Sequence, residues 1–357
     1  MNIADRKMKD MPKAPREGGF SLIELMVAMG ILTILMLMLT VLLDQVQKSW
    51  RFSESRITQF REARVAFDAM AKNIGQASLN TYWQALDDDN DGIYDGYFRT
   101  SELHFLTVEA GSLGSSSTQQ PVGQAIFFQA PLGFSTEYRN LNNLFNGRGY
   151  FVAFGSDESF RPRFLDSAYR YRFRLMEFRP PAESNQIFAD GQEELSGGGR
   201  QNFTKWFKQS AGVGQGGFEE HLNPLAENII AVIVSPRDSL EVGSASREAT
   251  YSEIAPNFAY DSNDGSKGRE EYAQQIPPLV RVTMIAIDED AAARFANGTG
   301  MPVDLTTAVA GLFTKTEDYA KDVTTVAERL NNLNVGHKIF SSLVMLRSSK
   351  WSSEPTS

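Results

Sequence analysis

An uninterrupted apolar run marks the N-terminal part of the chain. Leu25–Leu43 holds 19 residues without a charge or a proline, and sixteen of them are apolar. As a helix this run would span roughly 28 Å at about 1.5 Å per residue, which is close to the hydrocarbon thickness of a bilayer. The pattern therefore predicts a membrane-spanning helix.

Helical periodicity continues beyond this run. Apolar side chains recur at steps of three and four residues from Val46 to Ile74, and no proline lies between residues 15 and 121. We expect one helix from about Phe20 to Gln76, roughly 85 Å long at the same rise per residue. Its half at 20–43 would lie in the membrane, and its half at 44–78 would place an apolar stripe on a sheet.

The rest of the chain, residues 79–351 with a short tail at 352–357, has the pattern of an α+β domain. Segments rich in β-branched and aromatic residues predict seven strands, namely Leu103–Val108, Gln124–Ala130, Tyr150–Phe154, Tyr169–Phe178, Asn228–Val234, Leu279–Ile287 and Lys338–Leu346. Asp318–Leu333 predicts a late helix. The connections Gly111–Gly123, Gly191–Gly217 and Ser235–Pro278 are long and polar, which is typical of functional or disordered loops.

Composition narrows the class of protein. The 357 residues include 35 basic and 44 acidic side chains, for a net charge of −9, and no cysteine. The hydrophobic fraction of 42% is that of a globular chain. The missing cysteine excludes disulfides and thiolate chemistry. The acidic balance lacks the basic footprint of a nucleic-acid-binding protein, so we expect no nucleic-acid partner.

The segment before the apolar run is basic. It carries five cationic residues against three acidic ones, namely Arg6, Lys7, Lys9, Lys13 and Arg16 against Asp5, Asp10 and Glu17. This excess predicts a cytoplasmic N-terminus and a body beyond the membrane. A secretory signal peptide fits poorly, because Asp44–Gln47 offers no small-residue cleavage site. A plain signal anchor leaves Glu24 unexplained, since a carboxylate at the bilayer centre costs about 2.5 kcal/mol or more.

Gly18–Leu25, with the sequence GGFSLIEL, resembles the class III signal of type IV prepilins and type II secretion pseudopilins. The resemblance implies a leader at 1–19, a cut between Gly19 and Phe20 by a prepilin peptidase, and methylation of the new amine on Phe20. It also implies that Glu24 pairs with the N-terminal amine of a neighbouring subunit, which fits the rule that buried charges are tolerated in pairs. The alternative for Glu24 is a carboxylate that reaches the headgroups. The implied fold is pilin-like, with the long helix packed on antiparallel sheet.

Two later segments extend the resemblance. Leu225–Val232 and Pro277–Met284 are similar to consecutive strand segments of J-type pseudopilins and W-type minor pilins. Phe340–Trp351 is similar to a segment of the pilin-like proteins of the Verrucomicrobia-type cassette. The choice among these subfamilies stays open.

An acidic segment is a candidate metal site. Asp87–Asp95 has the spacing of the first half of an EF-hand loop. The carboxylates that could converge on one calcium ion are those of Asp87, Asp89, Asp91 and Asp95. The twelfth loop position, where an EF-hand has a bidentate Glu, holds Phe98. The alternative is a solvated acidic turn between the long helix and the first strand, and we expect no cofactor besides this ion.

Other motifs point to no catalysis. Tyr169–Arg174 alternates rings and arginines, which in a strand would form a basic face for an acidic partner or a half-buried strand with a solvated face. Gly212–Gly217 spells a glycine-rich pattern without the strand and helix that a nucleotide site needs. The histidines His104, His221 and His337 lack metal-ligand spacing. We therefore expect a protein that is not an enzyme.

The resemblance implies a minor pilin or pseudopilin-like structural subunit. Its expected partners are the prepilin peptidase, other pilin or pseudopilin subunits and an inner-membrane assembly platform. It would be a single-pass inner-membrane protein, with its C-terminal domain periplasmic or extracellular, that enters a filament after assembly. The alternative is a membrane-anchored exported binding module or enzyme that uses the signal only for export.

Overall fold

A computed structural model describes residues 21–87, 91–113, 119–138, 141, 143–162, 164, 167–188, 205–208, 221–238, 252–264 and 272–350, with backbone alone at 51–59, 86, 205 and 208. Its contacts divide the chain into two units, Met1–Ser55 and Arg56–Ser357. The helix α1, Leu22–Ile74, contributes residues to both units. It lies two residues inside the predicted helix at each end.

The part of α1 in the first unit exposes every side chain from residue 22 to residue 50. The hydroxyls of Thr33 and Thr40 donate to the carbonyls of Met29 and Met36, each at 2.8 Å. These local bonds satisfy the two hydroxyls within the helix itself, as a low-dielectric surrounding requires.

The part of α1 in the second unit buries a stripe on the body. The stripe follows steps of three and four residues and consists of Ala63, Ala66, Phe67, Met70 and Ile74. Asn73 Nδ2 donates to the hydroxyl of Tyr150 at 2.7 Å, and this hydroxyl donates to Glu177 Oε1 at 2.9 Å. The predicted apolar stripe on a sheet is thus present from residue 63 onwards.

The body is built on antiparallel strands. They are β1 Tyr82–Leu86, β2 Gly96–Thr100, β3 Leu106–Glu109, β4 Gln119–Pro131, β5 Phe145–Ser156, β6 Tyr171–Phe178, β7 Leu222–Glu227, β8 Ile229–Arg237, β9 Tyr260–Asp261, β10 Leu279–Ile287 and β11 His337–Met345. A six-stranded sheet has the order β7-β6-β5-β4-β3-β9, a three-stranded sheet the order β11-β10-β8, and β1 pairs with β2 alone. The fold is α+β, as predicted.

Short helices complete the body. They are α2 Lys205–Lys208, α3 Glu289–Arg294, α4 Val303–Val309 and α5 Tyr319–Asn332, with 3-10 turns at Ala110–Leu113, Ala182–Ser184 and Thr316–Asp318. The main core joins α1 to the inner faces of the two larger sheets, with Ile126, Val152, Ile233 and Met284 among its members. A second cluster on the six-stranded sheet surrounds Trp206.

Several predicted boundaries are wrong for identifiable reasons. The predicted loop Gly111–Gly123 contains the first part of β4, because residues 119–122 pair with β5 before a bulge at Gly123, whose φ is +71°. The predicted loop Ser235–Pro278 contains the end of β8, the strand β9, and the buried Ile254 and Phe258. Residues 191–204 and 209–217 of the predicted glycine-rich loop lie outside the described residues.

Candidate functional site

The signal segment lies at the start of α1. Gly19 and Phe20 fall outside the described residues, so the predicted cleavage site stays a prediction. Glu24 lies in the first turn of the helix with an exposed side chain. A negative charge there is favourable because the first turn carries the positive end of the helix dipole.

The apolar stretch after Glu24 has the length of a membrane span. Leu22–Trp50 holds 29 residues, and its most apolar window of 18 residues has a mean hydropathy of 2.7 and no buried residue. A helix that is apolar on all sides and that no described part of its own chain covers requires lipid or other helices around it.

The acidic segment connects β1 and β2, two paired strands that the sequence pattern did not predict, so a strand already precedes it after the long helix. The two carboxylate oxygens of Asp87 accept from the backbone N–H groups of Asp91 and Gly92 at 3.1 and 3.0 Å, and Gly92 has a φ of +86°. The described residues contain no group of three His, Asp or Glu side chains that could hold a metal. Asp89 lies outside them, so the calcium site of Asp87, Asp89, Asp91 and Asp95 stays a prediction.

The alternating Tyr169–Arg174 segment lies at the start of β6, and its arginines are paired with carboxylates of the same chain. Arg170 and Arg174 contact the carboxylate of Glu227 at 2.6 and 3.1 Å. Arg172 contacts Glu289 at 3.1 Å. The rings differ, since Phe173 is buried and Tyr169 is exposed. The three arginines therefore form ion pairs with two acidic residues of the same chain and do not present a free basic surface.

The Leu225–Val232 segment is the crossover between the two larger sheets. Glu227 ends β7 and Ile229 begins β8, so Asn228 is the only residue between them. Asn228 has a φ of +59°, its N–H donates to Phe173 O at 2.7 Å, and its side-chain amide donates to Glu289 at 2.6 Å. The Glu-Asn pair thus turns the chain from one sheet to the other and links the crossover to α3.

A buried ionic network lies under α1. Arg148 contacts Glu177 at 3.1 Å, and both side chains are nine-tenths or more buried. Burial lowers the pKa of Arg148, while the carboxylate of Glu177 opposes this change. Burial also raises the pKa of Tyr150, and the nearby Glu177 raises it further. Tyr150 therefore stays a neutral donor that connects α1 to the sheet.

The first histidine has a structural environment. His104 is almost fully buried, its Nε2 lies 2.7 Å from Asp261 Oδ1, and Trp206 Nε1 donates to its Nδ1 at 3.2 Å. The Trp206 bond assigns the proton to Nε2, because Nδ1 must accept. The three side chains therefore join α2 to β9 and to the segment just before β3.

Sequence reasoning missed Glu289 and Trp206. Asp288 and Glu289 directly follow a predicted strand, and this pattern of an Asp cap with acidic residues in the first turn would have predicted the helix α3. Trp206 and Phe207 are adjacent large rings within a glycine-rich stretch, which indicates a buried anchor.

Comparison with known proteins agrees with the N-terminal geometry. Residues 15–40 match the family model for the prokaryotic N-terminal methylation motif. This match covers the end of the leader, Phe20, Glu24 and most of the apolar run, so the chain carries a type IV prepilin-like class III signal. No curated protein and no solved structure matches the chain. Within the described residues, this signal and the one apolar helix that is long enough to cross a membrane fit a single-pass membrane anchor.

Proposed function

We propose that this chain is a minor pilin or pseudopilin-like structural subunit, without enzymatic activity, of a type IV pilus or a type II secretion pseudopilus. A prepilin peptidase would cut between Gly19 and Phe20, the amine of Phe20 would be methylated, and the mature chain would enter a filament from the inner membrane. The observation that carries the proposal is the methylation motif at 15–40, which runs into the part of α1 where every side chain from residue 22 to residue 50 is exposed.

Charge supports the proposed orientation. The leader holds five of the 35 basic and three of the 44 acidic residues, which leaves 30 and 41 on the mature chain. The basic leader favours the cytoplasmic side, and the acidic body has no attraction to the anionic inner leaflet. The body would therefore lie on the periplasmic or extracellular side.

Packing among subunits would cover the exposed segment. In an assembled helical bundle the residues from Leu22 to Leu43 would contact neighbouring helices, and Glu24 would neutralise the amine of a neighbouring Phe20. Gly30 lies on this segment, and no described residue of the same chain would contact a Cβ added there. Because glycine has no side chain, the backbone of a neighbouring helix could approach closely at this position.

The test is Glu24→Ala and Glu24→Gln in the full chain within its own host. We expect leader removal as in the native protein, because cleavage occurs before Glu24 is engaged, and a loss of filament incorporation of at least about tenfold. The reason is that an unpaired buried amine costs several kcal/mol. Incorporation is measured by quantitative immunoblot of the sheared filament fraction.

The matched control is Asp44→Ala on the same helix. Asp44 pairs with Lys48 at 2.7 Å and is exposed, so its loss is expected to change neither processing nor incorporation. If the Glu24→Ala protein entered filaments as the native protein does, Glu24 would not be needed to pair with the neighbouring amine.

A Gly19→Leu variant tests the cleavage site. It should keep its leader, and mature-length protein from that variant would contradict a cut between Gly19 and Phe20.

The alternative class is an exported binding module or enzyme that uses the signal only as an anchor. A cavity of about 700 Å³ in the body favours it, since this volume lies in the range of ligand sites. The two classes differ in whether the native protein leaves the membrane with filaments.

A further inference from the structure

The cavity of about 700 Å³ in the body has a buried apolar interior and a polar rim. Residues 230–233 of β8 and Leu305 of α4 are buried and line it. Its polar lining residues Glu109, Asn257 and Thr314 are exposed, so they mark the opening to solvent. The described lining contains no lysine, arginine or histidine, so an anion would find no opposite charge there.

The side chain of Gln124 presents a hydrogen-bond donor at the cavity. Gln124 lines the cavity and is half-buried, and its Oε1 accepts from the N–H of Val234 at 2.8 Å. Because a backbone N–H can only donate, this bond identifies the oxygen end of the amide and leaves Nε2 as the other end. Within the described residues no acceptor is bonded to this Nε2. Gln124 is therefore held in place by its oxygen while its donor is available.

The main chain of Val232 adds a second donor and an acceptor. The N–H of Val234 points away from β10, since it reaches Gln124, and alternate residues of an antiparallel strand point to the same edge. The N–H and C=O of Val232 therefore point to the edge of β8 at which Gln124 lies. Val232 lines the cavity and is 1% exposed, and none of the described bonds satisfies either group. Buried backbone groups nearly always have a partner, so we expect one from outside the described residues.

We propose that this cavity binds a small neutral molecule that is mostly apolar and carries an amide group. The carbonyl of the amide would accept from Gln124 Nε2, and its N–H would donate to the C=O of Val232. The apolar parts would contact Phe258 and Leu305, which are buried in the lining.

The character of the lining supports a neutral amide. The buried part of the lining holds no charged side chain, and a charge buried without a partner is costly. An apolar wall with a few polar groups that fix orientation is typical of small-molecule sites. The proposal does not depend on filament assembly, and it holds equally for a filament subunit and for an anchored module.

The test uses N-benzylbenzamide as the probe on the full chain in detergent micelles, with ¹⁵N in the glutamine side chains. A Gln124→Met variant assigns the side-chain resonance of Gln124 by its absence. We expect an amide proton of Gln124 to move downfield and to saturate with probe concentration, because it gains a carbonyl acceptor. The detergent concentration is kept constant, so partition of the probe into micelles is the same in every sample.

Two related probes separate the effect of the amide from that of its rings. Dibenzylmethane has both rings but neither a carbonyl nor an N–H, and it should not move the Gln124 resonance downfield. Dihydrochalcone keeps the carbonyl and has a methylene in place of the N–H. It should bind about threefold to tenfold more weakly than the amide, which corresponds to the net contribution of one hydrogen bond.

Two variants of α4 locate the effect in the cavity. Val309 lines the cavity, so Val309→Trp should fill it and abolish the shift of Gln124. Val303 lies on the same helix, is 70% exposed and does not line the cavity, so Val303→Trp should retain the shift.

Four results would overturn the proposal. One is no saturable shift of Gln124 up to the solubility limit of N-benzylbenzamide. Another is an equal downfield shift with dibenzylmethane, which would make the cavity a site for purely apolar ligands. Equal affinity for the amide and for dihydrochalcone would contradict the bond to Val232. The last is full retention of the shift in a Val309→Trp protein whose circular dichroism is native.

Discussion

Glu183 shows how a single carboxylate organises a surface loop. It accepts hydrogen bonds from the hydroxyl of Ser135 and from the N–H groups of Thr136 and Glu137, at 3.4 and 3.0 Å for the two amides. These bonds favour the ionised form, with that from Ser135 the strongest, and lower the pKa of Glu183 to about 2. The residue is exposed, so its role is local.

This depressed pKa predicts an acid transition of the loop. The ionised carboxylate stabilises the loop fully above pH 4.5, which is the ordinary pKa of a glutamate side chain. This stabilisation is lost as the pH falls through about 2. We expect the amide resonance of Glu137 to titrate with a midpoint near pH 2 in the ¹⁵N-labelled full chain. Glu183→Gln should remove this titration, and Glu317→Gln on a distant surface should not. A midpoint near 4.5 would show that the loop bonds contribute nothing to the ionised state.

The crossover between β7 and β8 decides how the two larger sheets meet. Asn228 adopts a left-handed conformation there, which an asparagine tolerates better than most residues do. Its side chain adds a bond to Glu289, while its own C=O accepts from Ile287 N–H at 2.9 Å. Asn228 is 3% exposed, so water cannot replace a hydrogen bond that a substitution removes.

Replacing this residue should destabilise the body. Asn228→Ala is expected to lower the free energy of unfolding by about 2–3 kcal/mol, because alanine costs about 1–2 kcal/mol in this conformation and the amide bond to Glu289 is lost. Asn228→Gly should cost less, since glycine accepts the positive φ freely. Urea denaturation of the full chain in detergent, followed by circular dichroism, measures both.

A second asparagine provides the matched control. Asn334 has a φ of +54° after the end of α5, and its side chain is exposed. Asn334→Ala should therefore show only the conformational cost of about 1–2 kcal/mol, and Asn334→Gly should be near neutral. Equal losses for Asn228→Ala and Asn334→Ala would mean that the bond to Glu289 contributes no stability.

Elements with a strong local pattern could be predicted from the sequence, and those fixed by distant contacts could not. The predicted strand Leu279–Ile287 is found with the same bounds, and the late helix differs by one residue at each end. The hairpin of β1 and β2 was missed because it flanks an acidic loop and its apolar residues do not alternate with polar ones. The strand β5 is longer than predicted, because ladder pairs with β4 and β6 extend it across glycine and polar positions.

The candidate site divides in the same way. The methylation motif is contiguous, so the sequence alone predicts Gly19, Phe20 and Glu24 together, and these roles stay predictions. The arginines of β6 could be seen as a row, but their partners lie 53 to 117 positions later in the chain at Glu227 and Glu289. These carboxylates lie beside the arginines only once the sheets have folded. The row that looked like a binding face in the sequence therefore forms contacts within the chain.

The whole molecule combines two surfaces of opposite character. The first unit presents a long apolar helix with exposed side chains, while the second has its own buried core and most of the net negative charge. Such a chain has to keep its first unit out of water at every stage. A bilayer and a bundle of like helices are two environments that meet this requirement.

The final prediction separates a filament subunit from an anchored module. In a host with an active prepilin peptidase, we expect the native chain in the sheared filament fraction at a mass that lacks residues 1–19. In a host without the peptidase, the full-length chain should stay in the membrane, because the uncut leader holds charged residues at the position of the Phe20 amine. An inner-membrane protein with an ordinary transmembrane helix serves as the control and should be absent from the sheared fraction in both hosts.

If the processed chain stays in the membrane while filaments are shed, the anchored-module class is correct. In that case the apolar helix serves only as an anchor, and Glu24 does not pair with the amine of a neighbouring subunit.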